Sequence, residues 1–135
     1  MLELQTELEG KRTHFGEFLN LIEPKGYHLG GGWDYHSGCF DSILHREGGE
    51  TIYLRMPFLV RDGILDDQYA GIEFTKPYVI KHVVNVGLDS DMSSLGTATF
   101  NQFQEPIDKD ATIHDKSKWA LAGEQAIEEI IPYLQ

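Results

Sequence analysis

At 135 residues, with 41% hydrophobic and 24% charged residues, the chain has the size and make-up of a single globular domain over 1–135, able to bury a core without a disulfide or metal. Eleven Lys+Arg against 22 Asp+Glu leave a formal charge of -11, which repels phosphate and anionic lipid and argues against a general nucleic-acid or membrane-surface binder. One cysteine, Cys39, excludes an internal disulfide, and an acidic N-terminus without an apolar run of membrane length points to the cytoplasm.

In chain order, Leu2 and Leu4 alternate with Glu3 and Gln5 as a short opening strand. Phe15, Phe18, Leu19 and Ile22 then fall at helical spacing. Thr13 is placed to cap them and Pro24 and Gly26 to stop them, which predicts a helix over 13–23. From Tyr27 the period changes to two. Three consecutive strands are expected at 33–36, 39–46 and 51–60, separated by Ser37-Gly38 and by Glu47-Gly48-Gly49-Glu50. Further strand segments fall at 71–74 and 78–86, with Pro77 marking a break or an edge. Residues 88–96 read as loop, 97–103 as another strand, and 108–115 as irregular, with Asp115 placed to cap the segment after it.

Trp119, Gly123, Ala126, Ile127, Ile130, Ile131 and Leu134 make one apolar stripe, with Glu124, Gln125, Glu128 and Glu129 opposite, which predicts an amphipathic C-terminal helix. Hairpin-linked strands imply an antiparallel β-sheet of about five to six strands. Covered by one helix near the N-terminus and one at the C-terminus, it defines the α+β class.

Register adds more. A two-residue turn at Ser37-Gly38 sets His36 against Cys39, Tyr35 against Phe40 and Asp34 against Asp41. In the next hairpin, an odd loop of Glu47-Gly48-Gly49 aligns Leu44 with Ile52, Ser42 with Leu54 and Phe40 with Met56. An even loop would instead set His45 against Ile52 and Asp41 against Met56, mixing polar and apolar faces. The binary pattern therefore favours the odd loop, with Gly48 or Gly49 at positive φ. One face becomes core: Trp33, Tyr35, Phe40, Leu44, Ile52, Leu54, Met56 and Phe58, packed with Trp119, Ile127 and Ile130. The other collects Asp34, His36, Asp41, His45, Tyr53 and Arg55, the candidate ligand-binding set.

Two carboxylates and two imidazoles on one face could hold a divalent ion or move protons, though an antiparallel sheet with one solvated face carries such residues in any case. Cys39 near His36 has the make-up of a thiol–imidazole pair, but Asp34 and Asp41 oppose a thiolate there, and a zinc half-site lacks a second cysteine. Gly30-Gly31-Gly32 is followed by Trp33 rather than by Lys-Ser/Thr or a helix, so it is not a phosphate loop. Asp89, Asp91 and Ser93 begin like a calcium loop, but Ser94 and Phe100 stand where glycine and glutamate are needed. Asn101–Pro106 concentrates amides around Phe103 and reads first as a self-capping loop. No catalytic set, metal or cofactor is assigned. The leading reading is a non-enzymatic binding or interaction protein whose homodimer surface would be any part of the helix stripe left exposed. The alternative is a small hydrolase or metal-dependent enzyme using the Asp/His face.

Trp33-Asp34-Tyr35, Tyr53-Leu54-Arg55, Lys81-His82-Val83 and Phe100–Pro106 give the chain, from about Tyr27 onward, a sequence that resembles the YugN-like family of small bacillar proteins. The resemblance implies an α+β fold and a bacterial cytosolic setting. It implies no activity and supplies no catalytic residues.

Overall fold

The structure, a computed structural model, describes residues 1–84 and 110–134. The expected strand at 97–103 and the amide-rich run Asn101–Pro106 lie outside the described residues. The described strands are β1 (Leu2–Glu3), β2 (Arg12–His14), β3 (Tyr27–Leu29), β4 (Ser37–Glu47), β5 (Glu50–Asp62), β6 (Gly71–Phe74) and β7 (Tyr78–Val83), in one antiparallel sheet. The helices are α1 (Phe15–Ile22) and α2 (Lys116–Ile130). The α+β reading therefore holds, with slightly more strands than the pattern suggested.

β5 organises the sheet. Ile52, Leu54, Met56 and Phe58 alternate along it and are all buried, as a strand with one covered face requires. β4 flanks it on one side. On the other, β7 pairs with Glu50 to Arg55 and β6 takes over from Phe58 to Asp62. The linker between β6 and β7 holds Pro77, whose carbonyl accepts the Leu4 N–H at 3.0 Å, so the break expected at that proline is real.

Both helices lie on the Leu54–Met56 face. Phe18 of α1 meets Phe40 and Phe74 at ring-centroid distances of 5.7 and 5.4 Å. Gly123 of α2 lies so close that a Cβ there would stand 2.8 Å from Leu4 Cδ1 and 3.2 Å from Val79 Cγ2. Ile127 and Ile130 are buried in the same cluster, while Trp119 packs against it half-buried. The C-terminal stripe is thus core, as its period demanded. α1 starts from His14, not from a Thr13 cap, because Arg12–His14 is drawn into β2, and neither α1 nor α2 has a side-chain cap.

Two further expectations fail. The strand expected at 33–36 does not form: β3 is Tyr27–Leu29, pairing Tyr27 with Ser42, His28 with Asp41 and Leu29 with Phe40. Trp33 and Tyr35 are 42% and 53% exposed rather than core. The second correction is in the β4–β5 hairpin. Its loop is even: Glu47 pairs with Glu50 across Gly48 (φ 56°) and Gly49 (φ 85°). His45 accordingly pairs with Ile52, as the rejected register required near the turn. A bulge between Ile43 and His45 then resets the strand, so that Ser42 meets Leu54 and Phe40 meets Met56. The glycine turn suits the twist of the hairpin, and the extra residue, Leu44, reconciles it with the core pattern.

Candidate functional site

Side chains alternate across a strand, so Arg55, between buried Leu54 and Met56, points to the face away from the helices. Pairing extends this to a transverse row: His28 opposite Asp41, Asp41 opposite Arg55, Arg55 opposite Tyr78 and Tyr78 opposite Glu3. At its centre the Arg55 Nε and Nη2 donate to Asp41 Oδ1 and Oδ2 at 2.9 and 3.1 Å. Burial opposes the charged guanidinium, but Asp41 and the Tyr78 hydroxyl outweigh it and hold the Arg55 pKa above its ordinary value. Asp41 has room because Gly30 lies over it: a Cβ on that residue would stand 2.7 Å from Oδ2 and 3.0 Å from Cys39 Sγ.

Of the six candidate residues, Asp41, Tyr53 and Arg55 share this face. Tyr53 lies opposite Ile43 and Ile80, its ring 4.8 Å from that of His82. His45 is carried to the helix side by the bulge, where its ring lies 5.4 Å from Trp119 and its Nε2 lies 3.3 Å from Glu47. Asp34 and His36 belong to the loop before β4. Asp34 Oδ1 accepts the His36 N–H and the Ser37 N–H, both at 2.8 Å, and these contacts, led by the His36 N–H, lower its pKa. The two carboxylates and two imidazoles therefore do not converge, and among the described residues no cluster of three or more His, Cys, Asp or Glu has metal-binding geometry.

His36 does not oppose Cys39, which pairs with Pro57. Burial, then the neighbouring Asp41 charge, push the Cys39 thiol up to about 11, the reverse of what a nucleophile needs. His28 and Tyr78 join the row through β3 and β7, strands whose pairing no local turn signal announced. A separate cleft of about 400 Å³ lies between α2 and the segment after β1, with Glu7, Glu124 and Glu128 around Ile127 and Ile131.

The end of the sheet presents a different surface. Trp33 and Tyr35 form an edge-to-face pair with ring centroids 6.1 Å apart. Their loop is tied to the one after β5 by Leu65 N–H to Tyr35 O, 3.1 Å, and to β5 by Val60 N–H to His36 O, 2.8 Å. These large aromatic rings are held outside the core by a fixed backbone.

Fold and surface define the class first: an α+β protein with two helices on one sheet face, a salt-bridged row on the other and an exposed aromatic loop at one end. The model of the YugN-like family matches residues 3–134, and the chain belongs to that family. It is 30% identical over 115 residues to "Uncharacterized protein YugN" of Bacillus subtilis (strain 168), covering 84% of both chains. The crystal structure of uncharacterized conserved protein YugN from Geobacillus kaustophilus HTA426 has a similar fold, with a TM-score of 0.59 at 21% identity over 98% of this chain and 99% of that one. The family match takes in β2 and α1 as well as the stretch after Tyr27 that carried the resemblance. Neither relative's description names a reaction or a ligand. Among the described residues, no helix is long and apolar enough to cross a membrane.

Proposed function

We propose that the protein is a cytoplasmic, single-domain, non-catalytic binding module that meets its partner through the Trp33–Tyr35 surface, without nucleic acid. The observation that carries this is the exposure of both rings, 42% and 53%, on a loop locked by Asp34 and by bonds to β5 and the loop after it. Trp and Tyr bring large contact area at low entropy cost and are the side chains most enriched at binding hot spots. The charge of -11 supports the exclusion of nucleic acid. The Asp/His enzyme reading loses its support with the separation of Asp34, His36, Asp41 and His45. Self-association through the helix stripe loses support likewise, because Ile127 and Ile130 lie in the core.

Denaturant unfolding of Tyr35→Ser tests the reading. A ring kept for contact can be removed for less than about 1 kcal/mol. A loss of about 3 kcal/mol or more would make Tyr35 a packing residue and overturn the proposal.

A further inference from the structure

We infer that the Trp33–Tyr35 surface takes a basic peptide segment of a partner protein, one in which Lys or Arg side chains flank an apolar anchor. The inference rests on the binding-module reading above and adds the partner's chemistry. The apolar part of the surface is Trp33, Tyr35 and Ile64, all exposed, standing on a base fixed by Gly38, where a Cβ would meet Phe58, Trp33 and Leu65 within 3.4 Å. The bonds Leu65 N–H to Tyr35 O and Val60 N–H to His36 O hold this base in place. A rigid base removes the ordering cost that a mobile loop would impose on binding.

The Asp, Glu, Lys and Arg residues within its two loops have one sign. Residues 30–36 and 62–70 contain Asp34, Asp62, Asp66 and Asp67 and neither Lys nor Arg, and all four aspartates are exposed. Arg61, the adjoining cation, donates through Nη2 to Glu73 at 3.4 Å. Asp67 Oδ1 accepts the Tyr69 N–H at 2.9 Å, which fixes that carboxylate within its own turn of the loop after β5. Aromatic faces edged by carboxylates attract ammonium and guanidinium groups twice, through the ring quadrupole and through Coulomb attraction. A second copy of this chain fits less well. A two-fold contact would set the same aspartates against one another in two molecules that each carry -11.

The test is calorimetry on the full chain at pH 8. Three peptides of one length share leucine anchors and carry Lys/Arg, Gln or Glu at the flanking positions. The inference expects the basic peptide alone to bind, on the order of micromolar, and roughly tenfold more weakly in high salt. Asp66→Asn/Asp67→Asn should weaken it by a similar factor, and Trp33→Ser and Tyr35→Ser should each abolish it. Tyr35→Ser decides the matter if Trp33→Ser does not fold.

If the Gln peptide binds as tightly as the basic one and Tyr35→Ser removes both, the basic-partner inference is overturned while the surface reading stands. Basic-peptide binding unchanged in Tyr35→Ser would mean attraction to the whole acidic chain, and overturns both. Failure of all three peptides overturns the inference. So does a dimer in sedimentation that Tyr35→Ser dissociates, which makes a second copy the partner and keeps the surface.

Discussion

Asp41 and Arg55 face each other across β4 and β5 in a two-bond, side-on pair, 2.9 and 3.1 Å long, on the sheet face turned away from both helices. The Asp41 side chain is 6% exposed and that of Arg55 23%, so neither charge can fall back on full hydration. A pair in that setting is costly to break from one side, because the remaining charge stays desolvated. Arg55→Met should therefore lose about 3–5 kcal/mol in urea unfolding. Adding Asp41→Asn should cost less than the sum of the single changes, by about 1–3 kcal/mol. Additive losses would show that the two side chains do not depend on each other.

The hairpin between β4 and β5 makes a second expectation. Gly48 and Gly49 both have positive φ, 56° and 85°, the backbone of a two-residue turn that Asn-Gly also adopts. No atom beyond the adjoining chain lies within 4 Å of a Cβ placed on Gly48, so backbone conformation alone decides what is tolerated there. Gly48→Asn should leave stability within about 0.5 kcal/mol, and Gly48→Val should lose about 1–2 kcal/mol. Equal effects in thermal unfolding would mean that the turn rearranges freely.

Gly16 meets the opposite constraint. A Cβ there would stand 2.5 Å from Gln68 Cβ and 2.8 Å from Gln68 O, and the Gly16 N–H donates to that same oxygen at 2.7 Å. Backbone and Cβ atoms cannot rotate out of the way. Gly16→Ala must push the start of α1 off the loop after β5, at about 2–4 kcal/mol for the overlap and the lost bond together. Gly123→Ala is the control, because its nearest neighbours are the side-chain ends Leu4 Cδ1 and Val79 Cγ2, which can move, and alanine favours the helix. It should cost less than Gly16→Ala.

These sites also mark what could be read from residue order. The alternation of Ile52, Leu54, Met56 and Phe58 defined β5 and its covered face, and the alignment of Phe40 with Met56 puts Asp41 and Arg55 on one face, as the structure has them. His45 is expected on the polar face and is not there, since a bulge at Leu44 and a three-residue loop yield the same pairing farther down the strand, at Phe40 and Ser42. Trp33 and Tyr35 alternate as a strand would, but the Asp34 carboxylate gathers the next two backbone N–H groups into a turn, and that local chemistry prevails over periodicity. β2 and β3, three residues each, are too short to show a period at all. The candidate surface was consequently hidden: its aromatic residues look like core until the turn is recognised.

Cys39 supplies a pH-dependent expectation. Its thiol ordinarily titrates at 9.0 and is pushed up to about 11, first by burial and then by the Asp41 charge beside it. Below pH 9 the thiol is protonated in the folded and unfolded chain alike, so it contributes no pH dependence there. Between about 9 and about 11 the unfolded chain releases this proton while the folded chain keeps it, so stability must fall as pH rises through that window. Tyr27, raised to about 12 by burial and then by Glu129, acts in the same direction, so the comparison has to be made against Cys39→Ser, which retains it. Across pH 9 to 11 the wild type should lose more stability in urea than Cys39→Ser does. Alkylation by iodoacetamide should rise with an apparent pKa of about 11, and in Asp41→Asn that value should move down towards 9.0, because the carboxylate charge is gone. An alkylation profile already centred near 9.0 in the wild type would place the thiol in open solvent and contradict its position beneath Gly30 and beside Asp41.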